Sequence, residues 1–487
     1  MAKSRTNKSN LFRVFEQTRQ PCYLLDKDRN IVYCNKALAD WVGHPMESVT
    51  TWQCNFHSRL PANAHPRTID GGMPMGEMWT SGSSLSETDL IAAQLAPPPD
   101  VFFGSEQAFW VSRGMAGDAV SGHLEFRRAQ ASILGQDDEL HVLVVVEPNA
   151  SDRSNLVAAG ELNRLDASDL HDALKLMSKE MFSIGECAVL IGTSAYSQRI
   201  RRQVQELQRT QGDVLIVGPV GSGRRRLAEV LQYANDVVGE KCLTTADLLI
   251  PVHADTCDPD TVQTTIRSLF ADDGGAALPT MLLLEADRLS VASQIELREF
   301  FSLLNKRFRV LATAQQSLLD LARTSDFDLE LAMRLSTFVV EIPPLSKRRE
   351  DIPLLLQFVI EQSNATGRRQ LSGVNKSAIH LLTDYHWPGE LAELEQVIAE
   401  ACLKSSGPNI IRADLPLRLV QAESAREHPV KPIEKIELTS FLIEIEKQII
   451  ERALQQAKGN KTQAASLLGI SRGSLLRRLS QLGINDE

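Results

Sequence analysis

Between Asn460 and Leu482 the chain reads NKTQAASLLGISRGSLLRRLSQL, and this spacing leaves few folds open: a short helix, a sharp turn and a second helix. Thr462 is placed to cap the first helix, with Ala464, Ala465 and Leu468 inward. Gly469 supplies the backbone freedom a tight turn needs, and Ile470 plugs the angle between the helices. Ser471 is placed to cap the second helix, on which Leu475, Leu476, Leu479 and Leu482 form one apolar face. The other face carries Ser471, Arg472, Ser474, Arg477, Arg478 and Gln481. Forked cationic donors beside small hydroxyls suit the major groove of double-stranded DNA. A solvated amphipathic helix pair is the bland alternative; the Ala-Ala…Gly-Ile-Ser turn weighs against it.

The chain has 487 residues and a formal net charge of −10. Such an acidic balance excludes nonspecific coating by nucleic acid over the whole surface, so any DNA-facing charge must be local. It is: from Lys458 to Arg478 every charged residue is basic. The seven cysteines have no paired spacing, as expected of reduced thiols rather than a disulfide framework. The polar start Met1–Asn10 is followed by no apolar run, and no stretch approaches the length of a membrane span. These features imply a cytoplasmic protein with no membrane partner.

Composition breaks divide the chain into residues 12–148, a connecting helix over 149–185, residues 186–420, a linker over 421–437, and residues 438–487. In the connecting helix Leu156, Asn163, Leu170 and Met177 recur every seven residues, with Ala167 and Leu174 between them. That period fits a short dimer seam, or equally an ordinary helix packed on one neighbour.

Residues 12–148 resemble a PAS domain. Pro21–Asp26 reads as a strand, Lys27–Asn30 as hairpin chemistry and Ile31–Asn35 as the returning strand. Asn35-Lys36-Ala37 through Gly43 matches that family's Asn-x-Ala…Gly helix, and His141–Val146 its closing strand. The resemblance implies a sensor or dimerising fold. Cys54 and His57 stand three apart, but two residues do not make a metal site, and no metal ligands are assigned.

Residues 186–420 resemble the AAA+ module of NtrC-type, sigma-54-dependent transcription activators. The resemblance rests on Leu190–Ser194, on the buried strand Asp213–Val217 running into Gly218–Gly223, on Pro343–Pro353, and on Tyr385-His386-Trp387-Pro388-Gly389-Glu390-Leu391. In that family a Fis-type helix-turn-helix stands last, as here. Gly218, Gly221 and Gly223, with Ser222, keep the backbone donors of a phosphate loop. Arg224 stands where the loop's lysine belongs, followed by Arg225; arginine is longer and planar and does not replace lysine at a fitted site.

Further departures follow from the same resemblance. Leu284 occupies the position of the magnesium-associated aspartate, while the water-polarising glutamate is kept as Glu285. Gln315 follows the first sensing strand. Asp328 replaces the first trans-acting arginine, and Arg334 keeps the second. Ala392 stands in place of the second sensor's arginine. Between Phe270 and Met281 there is no room for the family's Gly-Ala-Phe-Thr-Gly-Ala loop. Glu285 and Arg334 therefore read as vestigial catalytic residues, and ATP binding as weak, with magnesium left open.

The expected architecture is a multidomain α/β chain: an α+β PAS-like sensor, an AAA+ P-loop α/β domain with a helical lid, and an all-α helix-turn-helix. The expected function is a sequence-specific, DNA-binding regulator, a homo-oligomer of dimer or higher order. Its AAA+ domain would be a scaffold that neither hydrolyses ATP nor remodels sigma-54 polymerase. Two alternatives stand beside this: an active ATP-dependent sigma-54 activator acting on RNA polymerase, or an adapter mixing with a paralogous activator.

Overall fold

A computed structural model of the protein describes residues 15–16, 18–58, 86–114, 124–135, 140–149, 166–181, 187–210, 212–233, 249–257, 280–303, 309–367, 369–427, 438–457 and 459–482. Leu156 and Asn163 of the heptad, segment 271–279 and residues 428–437 of the expected linker lie outside them. The chain divides into two units, Met1–Val420 and Gln421–Glu487, each described by itself.

The first unit opens with a five-stranded antiparallel sheet of order β2-β1-β5-β4-β3. Its strands are β1 (Cys22–Leu25), β2 (Ile31–Cys34), β3 (Gln107–Gly114), β4 (Leu124–Leu134) and β5 (His141–Val146). The β1–β2 hairpin closes as its turn residues dictate. The Asp26 carboxylate accepts from the Asp28 and Asn30 amides at 2.9 and 2.8 Å, and Arg29 takes the left-handed conformation. Asn35 caps helix α1 (Lys36–Val42) by accepting from the Leu38 amide, and its oxygen also accepts from the Cys22 amide. One buried amide thus joins strand to helix, and Gly43 ends the helix at φ +82°. The α+β PAS-like fold expected of this segment is present.

After helix α2 (Ala167–Glu180) and helix α3 (Ala195–Gln208) comes a parallel sheet of order β10-β6-β9-β8-β7. It comprises β6 (Val214–Val217), β7 (Leu249–His253), β8 (Thr280–Leu284), β9 (Val310–Ala314) and β10 (Phe338–Glu341). β8 and β9 are buried at every residue, the pattern of strands covered on both faces. Helices α4 (Arg224–Tyr233), α5 (Val291–Leu303) and α6 (Leu329–Leu335) flank it. A helical lid follows, built of α7 (Ile352–Thr366), α8 (Lys376–Asp384) and α9 (Glu390–Lys404), with the short parallel pair β11 (Gly373–Val374) and β12 (Asn409–Ile410).

The structure decides between the two readings of the connecting helix and corrects one expectation about the linker. Leu170, Leu174 and Met177 are buried in the same core cluster as Leu355 and Val359 of α7. Their period therefore serves packing of α2 inside the chain, and among the described residues it offers no seam to a second copy. The start of the expected linker is helical, lying in α10 (Leu417–Glu427).

The second unit is all-α: α11 (Leu438–Gln456), α12 (Lys461–Leu467) and α13 (Arg472–Gln481). Ile450, Ala453, Ala457, Ala464, Ala465, Leu475 and Leu479 form its core, with Leu468, Ile470 and Leu482 packed against it. Gly469 makes the turn at φ +64°. Asn460, not Thr462, caps α12, accepting from the Thr462 and Gln463 amides; the helix starts two residues earlier than expected, and Thr462 lies exposed within its first turn. Leu476 is 42% exposed and does not belong to the inner face. No described helix is long and apolar enough to cross a membrane.

Leu174→Ala tests the reassigned helix. It should destabilise the first unit by about 2–5 kcal/mol, the cost of a buried leucine cavity, lowering its thermal midpoint, while the sedimentation mass stays unchanged. A change in mass without a change in midpoint would restore the seam.

Candidate functional site

β6 lies between β10 and β9, and its carboxyl end turns through Gly218–Gly223 into α4, the usual place for a ligand in an open parallel sheet. Gly221 sits at φ +81°, and a Cβ there would stand 2.3 Å from the Gly389 carbonyl oxygen. The lid rests on the loop at this point, where the Ala392 amide donates to the Gly221 carbonyl at 3.0 Å. Arg226 adds an ion pair to Glu395 of α9. Arg225 pairs with Glu229 one turn along its own helix, at 3.1 Å.

Arg224 is 6% exposed. Its Nη2 donates to Glu285 Oε1 at 2.6 Å, and Gln315 Nε2 donates to Glu285 Oε2 at 3.0 Å. Both carboxylate oxygens are thus engaged from inside the protein. The Glu285 amide donates to Thr313 Oγ1 of β9 at 3.0 Å, and Glu285 holds the left-handed conformation at φ +55°. That conformation costs on the order of 1–3 kcal/mol for a residue with a Cβ; the anchored amide and the doubly bonded carboxylate offset it. Leu284 lies in the buried cluster of Ile216 and Leu227. Burial pushes the Asp287 carboxyl up, and neighbouring Glu285 adds to the effect. Two buried polar atoms in this corner, Ser222 Oγ and Arg224 Nη1, have no partner among the described residues. Loop amides and these two donors suit an oxyanion.

Arg334 is held by its own chain. Nη1 donates to the Phe301 carbonyl at 2.7 Å, the guanidinium lies 4.4 Å from the Phe301 ring centroid, and Nε is 3.6 Å from Asp213 Oδ2. Burial pushes the Asp213 carboxyl up, against the Val310 amide and Arg334. Asp328 caps α6 by accepting from the Leu331 amide at 2.9 Å, and its other oxygen accepts from Arg298 at 2.7 Å. A cap and an ion pair therefore explain an acid at this position.

Sequence reasoning missed the roles of two residues that shape the lid. Asp351 accepts from the Ser194 amide and from the Ser194 and Ser197 hydroxyls, at 2.8, 2.5 and 2.6 Å; the Ser-x-x-Ser spacing was its only visible signal. The Glu390 carboxylate accepts from the Leu345 amide at 2.7 Å. Burial pushes its carboxyl up, opposed by that amide and by Arg348. Gln315, a sensing position by resemblance, is the second hand on Glu285.

On the second unit, Ser471 caps α13 by accepting from the Ser474 amide at 3.2 Å. Arg472, Arg477 and Gln481 are exposed on the helix, and Ser474 is half-buried. Arg478 forms an ion pair with Glu446 of α11, so one of the expected DNA-facing cations has an acidic partner within its own unit.

Comparison with known proteins agrees with this layout. Residues 191–345 match the sigma-54 interaction domain, residues 346–432 the AAA+ ATPase lid domain, and residues 441–482 the Fis family of bacterial regulatory proteins. The regulatory protein AtoC of Escherichia coli K12 is 26% identical over 358 residues, covering 70% of this chain and 77% of its own length. The transcriptional regulatory protein ZraR of the same strain is 28% identical over 312 residues, covering 60% and 68%. A crystal structure of NtrX from Brucella abortus in complex with ADP covers 64% of this chain and 75% of its own, at 20% identity and a TM-score of 0.39.

Arg224→Ala should destabilise the first unit by about 3–5 kcal/mol, because it strands the Glu285 carboxylate in a partly buried site. The double variant Arg224→Met/Glu285→Gln should recover most of that loss in a thermal melt. Equal melts for the single and double variants would show that the pair carries no coupling.

Proposed function

We propose, from the premise that this chain is a sigma-54-dependent-type transcriptional regulator ending in a Fis-type DNA-binding domain, that its AAA+ domain is a non-hydrolysing scaffold. The observation that carries this reading is the Arg224–Glu285 pair. By resemblance Glu285 is the residue that would polarise a water molecule, and both of its oxygens already accept hydrogen bonds. Leu284 offers no oxygen to a magnesium ion. Asp328 puts a negative charge, paired with Arg298, where the resemblance expects an arginine, and the Arg334 guanidinium is engaged by Asp213 and the Phe301 carbonyl of its own chain, so neither position presents an uncommitted cation to a neighbour's phosphates. Losses of this kind are each worth orders of magnitude in phosphoryl transfer and do not add simply.

The loop amides, Ser222 and Arg224 nonetheless favour a weak nucleotide or phosphate site. The Mg-dependent ATPase assay, at protein concentrations that allow assembly, should read no turnover above that of Glu285→Gln. Turnover of roughly one per second in the wild type, abolished in Glu285→Gln, would sink the scaffold reading and restore the active, polymerase-remodelling alternative.

The DNA reader is α13, and the protein acts in the cytoplasm as a dimer or higher oligomer. The self-association surface is the outer face of α11, where Leu442, Ile445 and Ile449 stand one helical turn apart and are exposed. Their opposite face, Ile450 and Ala453, is already buried in the unit's own core, so the stripe is available to the same stripe of a second copy. Two recognition helices then supply the surface that one such helix lacks.

Arg472→Ala should cost roughly 1–3 kcal/mol on the preferred site and relax its sequence preference. Arg477→Ala should weaken all sequences alike and flatten the salt dependence by about one unit. Glu446→Gln, which frees Arg478, should tighten binding to every sequence. Fluorescence anisotropy across a salt series reads all three; unchanged affinity and slope in the Arg472/Arg477 double variant would remove α13 as the reader. Leu442→Glu/Ile449→Glu should reduce both the sedimentation mass and operator affinity.

A further inference from the structure

The corner around Arg224 holds donors that its own chain leaves unanswered. Arg224 is 6% exposed and Ser222 1%, yet Arg224 Nη1 and Ser222 Oγ have no partner among the described residues. A buried donor without an acceptor is costly and calls for a ligand. Both residues stand where the glycine loop runs into α4, whose first-turn amides find no carbonyl within the helix. One edge of the guanidinium is fixed: Nη2 donates to Glu285 Oε1 at 2.6 Å, and Gln315 holds the other carboxylate oxygen. The other edge is left to donate. Guanidinium edge, hydroxyl and amides together suit the charged oxygens of a phosphate chain.

The metal that ordinarily accompanies such a chain has lost its holders. In P-loop proteins magnesium is held by a Ser or Thr directly after the loop's cationic residue and by an aspartate at the end of the second acidic strand. Here those positions are Arg225 and Leu284. Arg225 pairs with Glu229 at 3.1 Å and offers no oxygen. Leu284 is buried among apolar residues. Glu285 already accepts at both oxygens. Magnesium demands hard oxygen ligands in a near-ideal octahedron, and these residues do not fit it. The same corner carries instead a fixed guanidinium, whose planar fork matches phosphate oxygens.

We infer that the loop from Gly218 to Arg224 binds the phosphate chain of a di- or triphosphate as the metal-free anion. The Arg224 guanidinium supplies the positive charge that a divalent ion would bring, and Glu285 is the residue that positions it. This rests on the scaffold reading, in which Glu285 has no water to polarise, and goes beyond it by naming the form of the ligand. Magnesium, by occupying the phosphate oxygens, competes with Arg224 for them rather than assisting.

The test is calorimetric titration of the full chain with pyrophosphate and with ADP, in EDTA and in excess magnesium. The expected result is binding in EDTA that magnesium weakens by at least about threefold, as it depletes the free anion by mass action. In EDTA, Arg224→Met/Glu285→Gln should bind at least about tenfold more weakly, the loss expected of one charge-assisted hydrogen bond. Should that variant not fold, Ser222→Ala is read instead, with a loss of about threefold expected. Equal affinity for the two probes identifies the phosphate chain alone as the ligand, and tighter ADP binding adds the nucleoside; the inference holds in both cases. Binding that is stronger in magnesium than in EDTA overturns it, and loss of that gain in Asp287→Asn would assign the metal to Asp287. Absence of binding at millimolar probe in either medium also overturns it, as does undiminished binding in the folded variant. The ATPase assay on the same preparation separates the two readings: magnesium-enhanced binding without turnover removes this inference and leaves the scaffold.

Discussion

The burial of α7 on every side is the constraint from which the rest of the first unit follows. Residues 351–361 are buried without interruption, the condition of a helix surrounded by protein. Its apolar side chains order α2, α8 and α9 around it. Its polar side chains cannot reach water and must be answered from within. Gln357 donates to Glu361 and to the Ser372 carbonyl, and Asn364 donates to the Leu371 and Phe56 carbonyls. One of those answers comes from the N-terminal domain. A polar group on an enclosed helix thus converts packing into a domain-to-domain attachment.

A second consequence concerns the glycine loop. An arginine at position 224 is long enough to span from the start of α4 to the end of β8, and its planar fork meets a carboxylate edge. Glu285 is therefore drawn into an internal pair rather than left facing a ligand. Such a pair is weak grounds for stability in itself, since desolvation of both charges opposes their attraction. Its effect is on availability: the acid and the base of this corner answer each other, and Gln315 completes the set. The same logic recurs at Arg334 with Asp213, at Asp328 with Arg298, and at Arg478 with Glu446. Positions that resemblance marks as functional have local partners in each case.

Much of the architecture was legible residue by residue. Lys27–Asn30 turns the hairpin, the helix after Asn35 forms as its signature implies, Ser471 caps the helix expected of it, and Gly469 turns between α12 and α13. Strand Val214–Val217 is buried and feeds a glycine loop as its composition demands. The failures are equally specific. The seven-residue period of α2 marked a buried face correctly, but a period cannot say whether the covering surface comes from the same chain or another copy. Leu476 carries an apolar side chain one position beyond Leu475, and a hundred degrees of helical rotation turns it to solvent. Thr462 and Asn460 are both competent caps; the register of α12 against its neighbours chose the earlier one.

What the sequence determined by itself is the set of local conformations: caps, hairpin, glycine turns, covered strands, and the order of modules along the chain. These depend on residues within a few positions of one another, where propensity and periodicity act directly. What only the tertiary structure decided is the pairing of charges and amides. Arg224 meets Glu285 across 61 positions, and Phe56 meets Gln370 across 314. No local rule ranks the available acids for Arg224 or the available amides for Phe56. The choice is made when the packing of α4 on the parallel sheet and of α7 beneath the N-terminal domain removes water from the competing arrangements.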